Sequence, residues 1–300
     1  MTTPKFNNIV FLKKFNCKIA KTSLCFAFLF VLCLCLSPDL FAKDKQQQQK
    51  NQRQSLTESV YLENLTWPEL QAKLDAGFTT VIVPTGGTEQ GGPHLALGKH
   101  NFVVKQSAER IAVKVGKTFV APVLPYVPEG DFAHPSGNLL FPGTLGVSDD
   151  TFSKVLIDIS VSLYLSGFKC IVFLGDHGQS IELQGLVADQ LNLQWKTMGV
   201  RVLNLSAYYD PTIEETVLSK SGIDRADWGE HAGVADTSEL MAARPSAVRK
   251  AALRQKEVPG RPQTGATGRA ELSRQTLGAK MLELRVQAAA EQLKPFIAVE

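Results

Sequence analysis

Apolar positions along the 300-residue chain fall into short runs that alternate with longer segments of helical spacing. Runs of β-branched and other apolar residues at 79–84, 118–124, 170–174 and 200–205 predict buried strands. The segments 101–116, 148–166 and 182–198 place apolar residues three and four apart, which predicts amphipathic helices. Because strands separated by helices pair in parallel, the pattern predicts a layered α/β fold around a mostly parallel sheet.

Helical patterns also flank this alternating region. The segment 66–74 begins with Thr66, a capping residue, and has Pro68 close behind, as at many helix starts. Two later segments, 236–243 and 270–293, are predicted to be helices, and a loop rich in glycine and proline at 259–268 separates them. Predicted helices therefore continue almost to the end of the chain.

The N-terminus has the pattern of an export signal. Its first part is basic and free of acidic residues, an apolar run covers 24–36, and a short segment ends at Ala42. The apolar run is shorter than the roughly 20 residues that span a bilayer, although a retained membrane anchor is the alternative. We predict a signal peptide at 1–42, a polar, glutamine-rich tether at 43–60 and one domain at 61–300. The protein is then exported, either periplasmic or secreted, with no membrane contact after cleavage.

Charge and cysteine content exclude some functions. The net charge is +3 without a basic stripe, which argues against a nucleic-acid partner. Four of the five cysteines lie inside the predicted signal peptide, so the processed chain has no intramolecular disulfide. Cys170 lies in a predicted strand and is interpreted as a buried apolar residue rather than a catalytic thiol.

The histidines fall at positions that favour a functional site. A single histidine is more often a hydrogen-bonded polar residue than a ligand. In this chain, however, the histidines follow predicted strands or lie in loops rich in glycine and proline. Ligands of open α/β sheets bind beyond the carboxyl ends of the strands. The five residues are His94, His100, His134, His177 and His231.

Carboxylates accompany these histidines in three segments. Glu89 lies within 84–95, where glycines and prolines permit tight turns after the first strand. An Asp-His pair at 176–177 follows the third strand between two glycines. The segment 228–238 carries Glu230, His231 and Asp236. Asp236 could equally cap a helix, but a carboxylate with two or three imidazoles is a set that zinc and manganese favour.

Four ordered segments resemble the creatininase (creatinine amidohydrolase) family over about 62–252. They are 89–100, 126–144 with Phe-Pro-Gly-Thr at its end, the Gly-Asp-His-Gly turn at 175–178, and His-Ala-Gly-Val-Ala-Asp-Thr-Ser at 231–238. The resemblance implies a creatininase-like three-layer α/β/α fold and a metal centre that is usually binuclear. It also implies hydrolysis of a cyclic or linear amide and homo-oligomers, often hexamers.

The chain departs from the family at several metal-binding positions. Gly91 stands where the family has a histidine, His100 where it has a metal-bridging aspartate, and Gln179 where creatininase itself has a glutamate. The glutamate of the last segment is shortened to Asp236. One of the two metal positions has therefore lost its ligands, and we expect a single zinc or manganese ion per chain. The expected ligands are Glu89, His100, His177 and, as ligand or outer partner, Asp236.

The hypothesis that follows is a metal-dependent amidohydrolase that cleaves a non-peptide C–N bond of a small molecule through metal-activated water. Glu230 and His231 match the family's catalytic pair and would move protons to the leaving nitrogen. The expected substrate-binding residues are His94, His134 and Trp228, although Trp228 could simply pack in the core.

Two other functions fit the same residues. The first is an exported, non-catalytic protein that binds a small molecule on a degenerate creatininase scaffold, since the altered ligands are of the kind that removes a bridging hydroxide. The second is a different metal hydrolase such as a lactonase, because amides and lactones require the same polarised carbonyl.

Overall fold

The computed structural model describes residues 59–256 and 263–297, all within one compact unit, Ser55–Glu300. The predicted signal peptide, nearly all of the predicted tether and part of the 259–268 loop lie outside the described residues. No helix among the described residues is long and apolar enough to cross a bilayer.

Four parallel strands form the central sheet. They are β1 (Thr80–Thr85), β2 (Thr118–Val120), β3 (Cys170–Gly175) and β4 (Arg201–Asn204), in the order β2-β1-β3-β4. Every residue of β1 and β3 is buried, as expected for the centre of a sheet covered on both faces. The predicted strand at 118–124 ends earlier than expected because Pro122 has no N–H for the ladder. Pairing resumes only as an isolated bridge at Leu124.

Seven α-helices surround the sheet within the described residues. They are α1 (Trp67–Asp75), α2 (Lys99–Val115), α3 (Asp149–Leu165), α4 (Gly178–Gln194), α5 (Pro211–Ser219), α6 (Val234–Ala243) and α7 (Gln275–Leu293). The sequence pattern missed α5, which Asp210 caps and Pro211 begins. Helix α4 begins four residues before the predicted start, and α2 begins two residues before it. As a result, His177 is the N-cap of α4 and His100 lies in the first turn of α2, not in a loop.

The helices cover the sheet as two outer layers. Val81 and Val83 of β1 pack on one face against a cluster that includes residues of α3 and α4, with α1 at its margin. Ile82, which points the opposite way, packs on the other face against α2 and α7. These clusters confirm the predicted three-layer α/β/α fold.

The order of the strands opens a crevice at one edge of the sheet. Helix α2, which follows β1, lies on one face, whereas α4, which follows β3, lies on the other. β1 and β3 are neighbours in the sheet. The loop from β1 to α2 and the loop from β3 to α4 therefore turn toward opposite faces and leave a gap between the two strand ends. Such a switch point is where open α/β sheets bind their ligands, beyond the carboxyl ends of the strands.

Helices α6 and α7 approach most closely at Gly278. A β-carbon there would lie 1.8 Å from the carbonyl oxygen of Ser238 in α6, so the two backbones could not keep their positions. We therefore expect Gly278→Ala to lower the free energy of unfolding by about 3 kcal/mol, an overpacking cost, in urea denaturation monitored by circular dichroism.

Gly185, inside α4, provides the matched control. The nearest atom to a β-carbon at this position is Asn204 Nδ2 at 3.4 Å, an ordinary contact. Gly185→Ala should leave stability unchanged or raise it by up to about 1 kcal/mol through helix propensity. Equal unfolding midpoints for the two variants would contradict the close helix packing.

Candidate metal centre

Three predicted ligands converge in the crevice. Glu89 comes from the loop after β1, His100 from the first turn of α2 and His177 from the N-cap of α4. One ligand atom from each residue lies within 4.8 Å of the others, and all three residues are buried. The two imidazole rings meet edge to face, with centroids 5.3 Å apart.

The ring of His100 is held between two carboxylates. Its Nε2 lies 2.8 Å from Glu89 Oε1, and its Nδ1 lies 2.9 Å from Asp176 Oδ2. Burial and the Lys99 charge lower the pKa of His100, but the bonds to Asp176 and Glu89 outweigh them and raise it to about 9. Asp176 also accepts a hydrogen bond from Tyr208 at 2.9 Å. A carboxylate behind a metal-binding histidine commonly fixes its ring orientation in this way.

The carboxylate of Glu89 is the centre of the cluster. Besides His100, it accepts a hydrogen bond from Asn138 Nδ2, and it lies 3.3 Å from Lys99 Nζ. Its distances to His177 Nε2 and His231 Nδ1 are 3.7 and 3.9 Å. Burial alone would raise the pKa of Glu89, but the hydrogen bond to His100, the nearby His177 imidazole and the Lys99 charge hold it well below its usual range. Glu89 is therefore ionised and able to bind a cation.

Lys99 is a buried cation beside the cluster, and its ammonium bridges two carboxylates. Nζ lies 2.7 Å from Asp236 Oδ2 and 3.3 Å from Glu89 Oε1, with only 3% of the side chain exposed. Lys99 is the first residue of α2, where the helix dipole disfavours a positive charge, so the two carboxylates must hold it there.

Asp236 lies outside the three converging ligands, in the place of the outer partner that the sequence allowed for it. It is directed to the Lys99 ammonium and does not join the three converging ligands. Nor is it the N-cap of α6, because Gly233 occupies that position. Instead, Asp236 Oδ2 accepts a hydrogen bond from the backbone N–H of Ala232 at 2.7 Å. Burial would raise its pKa, but the charge of Lys99 holds the pKa of Asp236 below its usual range.

His231 presents one free ring nitrogen toward Glu89. Its Nε2 lies 2.9 Å from the Gln90 carbonyl oxygen, which can only accept, so Nε2 carries the proton. Burial lowers the pKa of His231, which keeps the ring neutral near pH 7. Nδ1 is then an unprotonated nitrogen 3.9 Å from Glu89 Oε1. This geometry suits a general base.

The turn after His231 is strained and firmly held. Ala232 has φ of 51°, a left-handed conformation that is unfavourable for a residue with a side chain. His94 Nε2 lies 3.1 Å from the Ala232 carbonyl oxygen and 3.0 Å from Thr237 Oγ1, while Asp236 binds the Ala232 N–H. His94, predicted to contact substrate, is only 2% exposed and holds this turn instead.

The remaining predicted residues lie outside the ligand cluster. Glu230 is exposed and its N–H donates to Thr267 Oγ1 at 2.8 Å. His134 is not brought to the cluster, since its side chain is 88% exposed and pairs with Asp131. Trp228 packs in an apolar cluster with its indole N–H bonded to the Ile223 carbonyl, which is the core role weighed for it from the sequence.

Glu129 is a further acidic residue at the cluster that the sequence pattern did not indicate. It is 5% exposed, and its Oε1 lies 3.6 Å from His177 Nε2. Burial, followed by the charge of Glu89, raises the pKa of Glu129 to about 8. Asn138 and Lys99 were also missed, because nothing in their local sequence distinguishes them. Asp176 was visible only as the neighbour of His177 in the Gly-Asp-His-Gly turn.

A cleft of about 610 Å³ opens beside Glu89. Its lining includes Gln90, Asn138 and His231, together with apolar surface from Leu140 and Phe141. A larger cavity of about 950 Å³ is lined by other residues, and none of the hydrogen bonds or ion pairs of Glu89 described above involves them. We assign the substrate cleft to the smaller cavity, because Asn138 and His231 connect it to Glu89.

The residues present fit a divalent metal. An ionised carboxylate oxygen and two imidazole nitrogens form a donor set that suits zinc or manganese. His177 Nε2 lies 3.7 Å from Glu89 Oε2, too far for a hydrogen bond, and His177 Nδ1 has no hydrogen-bond partner among the described residues. Nε2 of His177 thus faces the Glu89 carboxylate across a gap that a cation would fill.

Comparison with known proteins agrees with this site. A family model described as creatinine amidohydrolase matches residues 63–293, so the chain belongs to the creatininase family. The predicted family and its hydrolase class are thereby confirmed. Creatinine amidohydrolase from Pseudomonas putida is 25% identical over 197 residues, which cover 64% of this chain and 75% of that relative.

Other relatives extend the comparison. A 3-dehydro-scyllo-inosose hydrolase from Thermotoga maritima is 30% identical over 120 residues, or 40% of this chain. The match spans only 36% of that relative's length. A solved creatinine amidohydrolase (creatininase) superposes with a TM-score of 0.65 at 24% identity, over 81% of this chain and 100% of that one. A manganese form of creatininase superposes with a TM-score of 0.64. These structures support the fold.

The ligand assignment predicts the effect of removing one imidazole. In His177→Ala, we expect metal binding to be lost, because only Glu89 and His100 of the three converging ligands remain. The measurement is metal per chain by elemental mass spectrometry after loading with zinc or manganese and desalting. His134→Ala is the control, since this exposed histidine should leave metal content unchanged. Equal metal content in wild type and His177→Ala would overturn the assignment.

Proposed function

We propose that the protein is a metal-dependent amidohydrolase that uses activated water to cleave a non-peptide C–N bond of a small cyclic or linear amide. The observation that carries the proposal is the convergence of Glu89, His100 and His177 next to a cleft that is lined by His231 and Asn138. Family membership supports the reaction class. The two curated relatives are named as hydrolases of creatinine and of 3-dehydro-scyllo-inosose, both small molecules.

Different side chains would hold the metal, orient its ligands and orient the substrate. A divalent metal, when bound, would polarise the substrate carbonyl and lower the pKa of water toward about 7. Asp176 keeps Nε2 of His100 directed at the site by binding the other ring nitrogen. Asn138 holds the second oxygen of Glu89 and lines the cleft, where its amide can also orient substrate.

Proton transfer is assigned to His231. Its Nδ1 would accept the proton that the attacking water loses, and its Nε2–H bond to the Gln90 carbonyl keeps the ring in place. The same nitrogen then delivers the proton to the leaving nitrogen of the amide. Glu230 is the less favoured candidate for this proton transfer, because it lines cavities other than the 610 Å³ cleft.

A single zinc or manganese ion per chain is part of the proposal. The ammonium of Lys99 already compensates Asp236 and part of Glu89, so the chain itself supplies one cation next to the ligands. Gly91 has no side chain to offer, and Gln179 lines the larger cavity outside the cluster. Solved relatives include a manganese form and a Zn-Zn type, so either ion has a precedent in the family.

Export and self-association complete the proposal. The order of basic, apolar and small residues at the N-terminus supports cleavage after Ala42 and delivery across a membrane. Exposed apolar side chains on α3 and α4, among them Leu165 and Leu193, support a homo-oligomer. A small-molecule substrate agrees with the volume of the cleft.

A metal count and a hydrolysis assay test the function together. We expect one zinc or manganese ion per chain and hydrolysis of at least one amide from a panel of cyclic and linear amides. His231→Ala should keep its metal and lose about 10²–10⁴-fold in kcat, as expected when a general base is removed. The His134→Ala variant, changed at an exposed histidine, should retain wild-type activity.

The outcomes separate the alternatives. One metal per chain with ligand binding but no turnover of any amide or lactone would favour the non-catalytic binding protein. Turnover of lactones alone would replace the amidohydrolase with a lactonase. Two tightly bound metals per chain would contradict the single-metal site, in which the ammonium of Lys99 provides the other positive charge.

A further inference from the structure

A second acidic side chain approaches the metal cluster from a different element. Glu129 lies between β2 and α3, in a loop that Val127 ties down by pairing with Gly146. The residue is 5% exposed, and its side chain reaches His177 rather than solvent. The three converging ligands therefore do not account for every buried acidic group at this point.

The distances around His177 are those of ligands that share a metal. Its Nε2 lies 3.6 Å from Glu129 Oε1 and 3.7 Å from Glu89 Oε2, too long for hydrogen bonds in both cases. Donor atoms held tetrahedrally at about 2.0–2.2 Å from one metal lie roughly 3.3–3.6 Å from each other. The two carboxylates therefore face one imidazole nitrogen at the spacing of co-ligands.

One carboxylate oxygen of Glu129 also lacks a hydrogen-bond partner among the described residues. That oxygen is Oε1, and a buried carboxylate oxygen is costly to leave unpaired. The nearby carboxylate of Glu89 adds like charge, and the ammonium of Lys99 is engaged by Asp236 and Glu89. A cation between Glu129, Glu89 and His177 would satisfy all three side chains.

Gly146 makes room for this approach. A β-carbon at Gly146 would lie 2.9 Å from Cβ and 3.0 Å from Cγ of Glu129. Gly146 is not among the glycines with positive φ, so its backbone conformation does not call for glycine. A β-carbon at Gly146 would also lie 3.2 Å from the Val127 carbonyl oxygen, so the glycine permits both the backbone pairing with Val127 and the close approach of Glu129.

We propose that Glu129 is a fourth protein ligand of the metal, giving a set of two carboxylates and two imidazoles. The inference rests on the proposed metal site and extends it to a loop that the sequence pattern did not assign to the site. Two carboxylates match the charge of a divalent ion. Carboxylate oxygens and imidazole nitrogens together are a donor set that zinc and manganese accept.

Glu129→Gln tests the assignment because it keeps the shape of the side chain and removes the charge. We expect its Kd for Zn²⁺ and Mn²⁺, measured by chelator competition on the purified protein, to rise by about 100-fold or more, above the effect of outer-sphere partners. Gly146→Ala should also weaken binding, because it displaces Glu129 without changing it. Asp131→Asn, an exposed acidic residue in the same loop, is the control and should bind as wild type.

Thermal unfolding separates a ligand from a structural residue. Without metal, Glu129→Gln should melt at or above the wild-type Tm, because a neutral amide fits a position that burial and Glu89 make unfavourable for a charged side chain. With saturating Zn²⁺, it should melt below wild type. A lower Tm without metal, or wild-type Kd values in Glu129→Gln, would overturn the fourth ligand while leaving the three-ligand site in place. Failure of the wild type to bind either metal would overturn both proposals.

Discussion

The carboxylate of Glu89 is the interaction on which the rest of the site depends. It is almost fully buried, and an ionised group in that position requires compensating charge and hydrogen bonds from the chain around it. Those contacts come from the loop preceding α3, from the first turn of α2 and from the N-cap of α4. These three segments are thereby held together over the carboxyl ends of β1 and β3. The sheet topology brings the polar side chains together, and their contacts with Glu89 in turn hold the segments in place.

The described fold explains why these connections meet. Neighbouring strands that send their helices to opposite faces leave a gap, and the side chains at that gap are anchored by rigid elements on both sides. His100 and His177 stand at helix starts, so their positions are set by α2 and α4. The strained turn at Ala232 is likewise held by buried partners, which suits a nitrogen of His231 that must stay aimed at the cleft.

Periodicity was sufficient to predict the layers, the parallel sheet and most helices, and the loops after β1 and β3 indicated Glu89, His100 and His177. It could not show which way a side chain points within a loop or a first helical turn. For this reason the sequence left Asp236 open as ligand or outer partner, whereas the structure shows it bound to Lys99, and it placed His94 at the substrate, whereas the structure shows it holding Ala232. Lys99 and Glu129 escaped notice because burial, not local sequence, makes an ordinary charged residue part of a site.

The distribution of fixed charge also explains how the site can combine stability with dependence on a metal. Lys99 neutralises the Asp236 side of the cluster permanently, since its ammonium is attached to the chain and cannot dissociate. The opposite side has no such group among the described residues, and there Glu129 and His177 face each other without a hydrogen bond. Metal loss would then leave the turn that carries His231 intact while releasing the side chains around His177. The chain would keep His231 in place and lose only the arrangement of the side chains around His177.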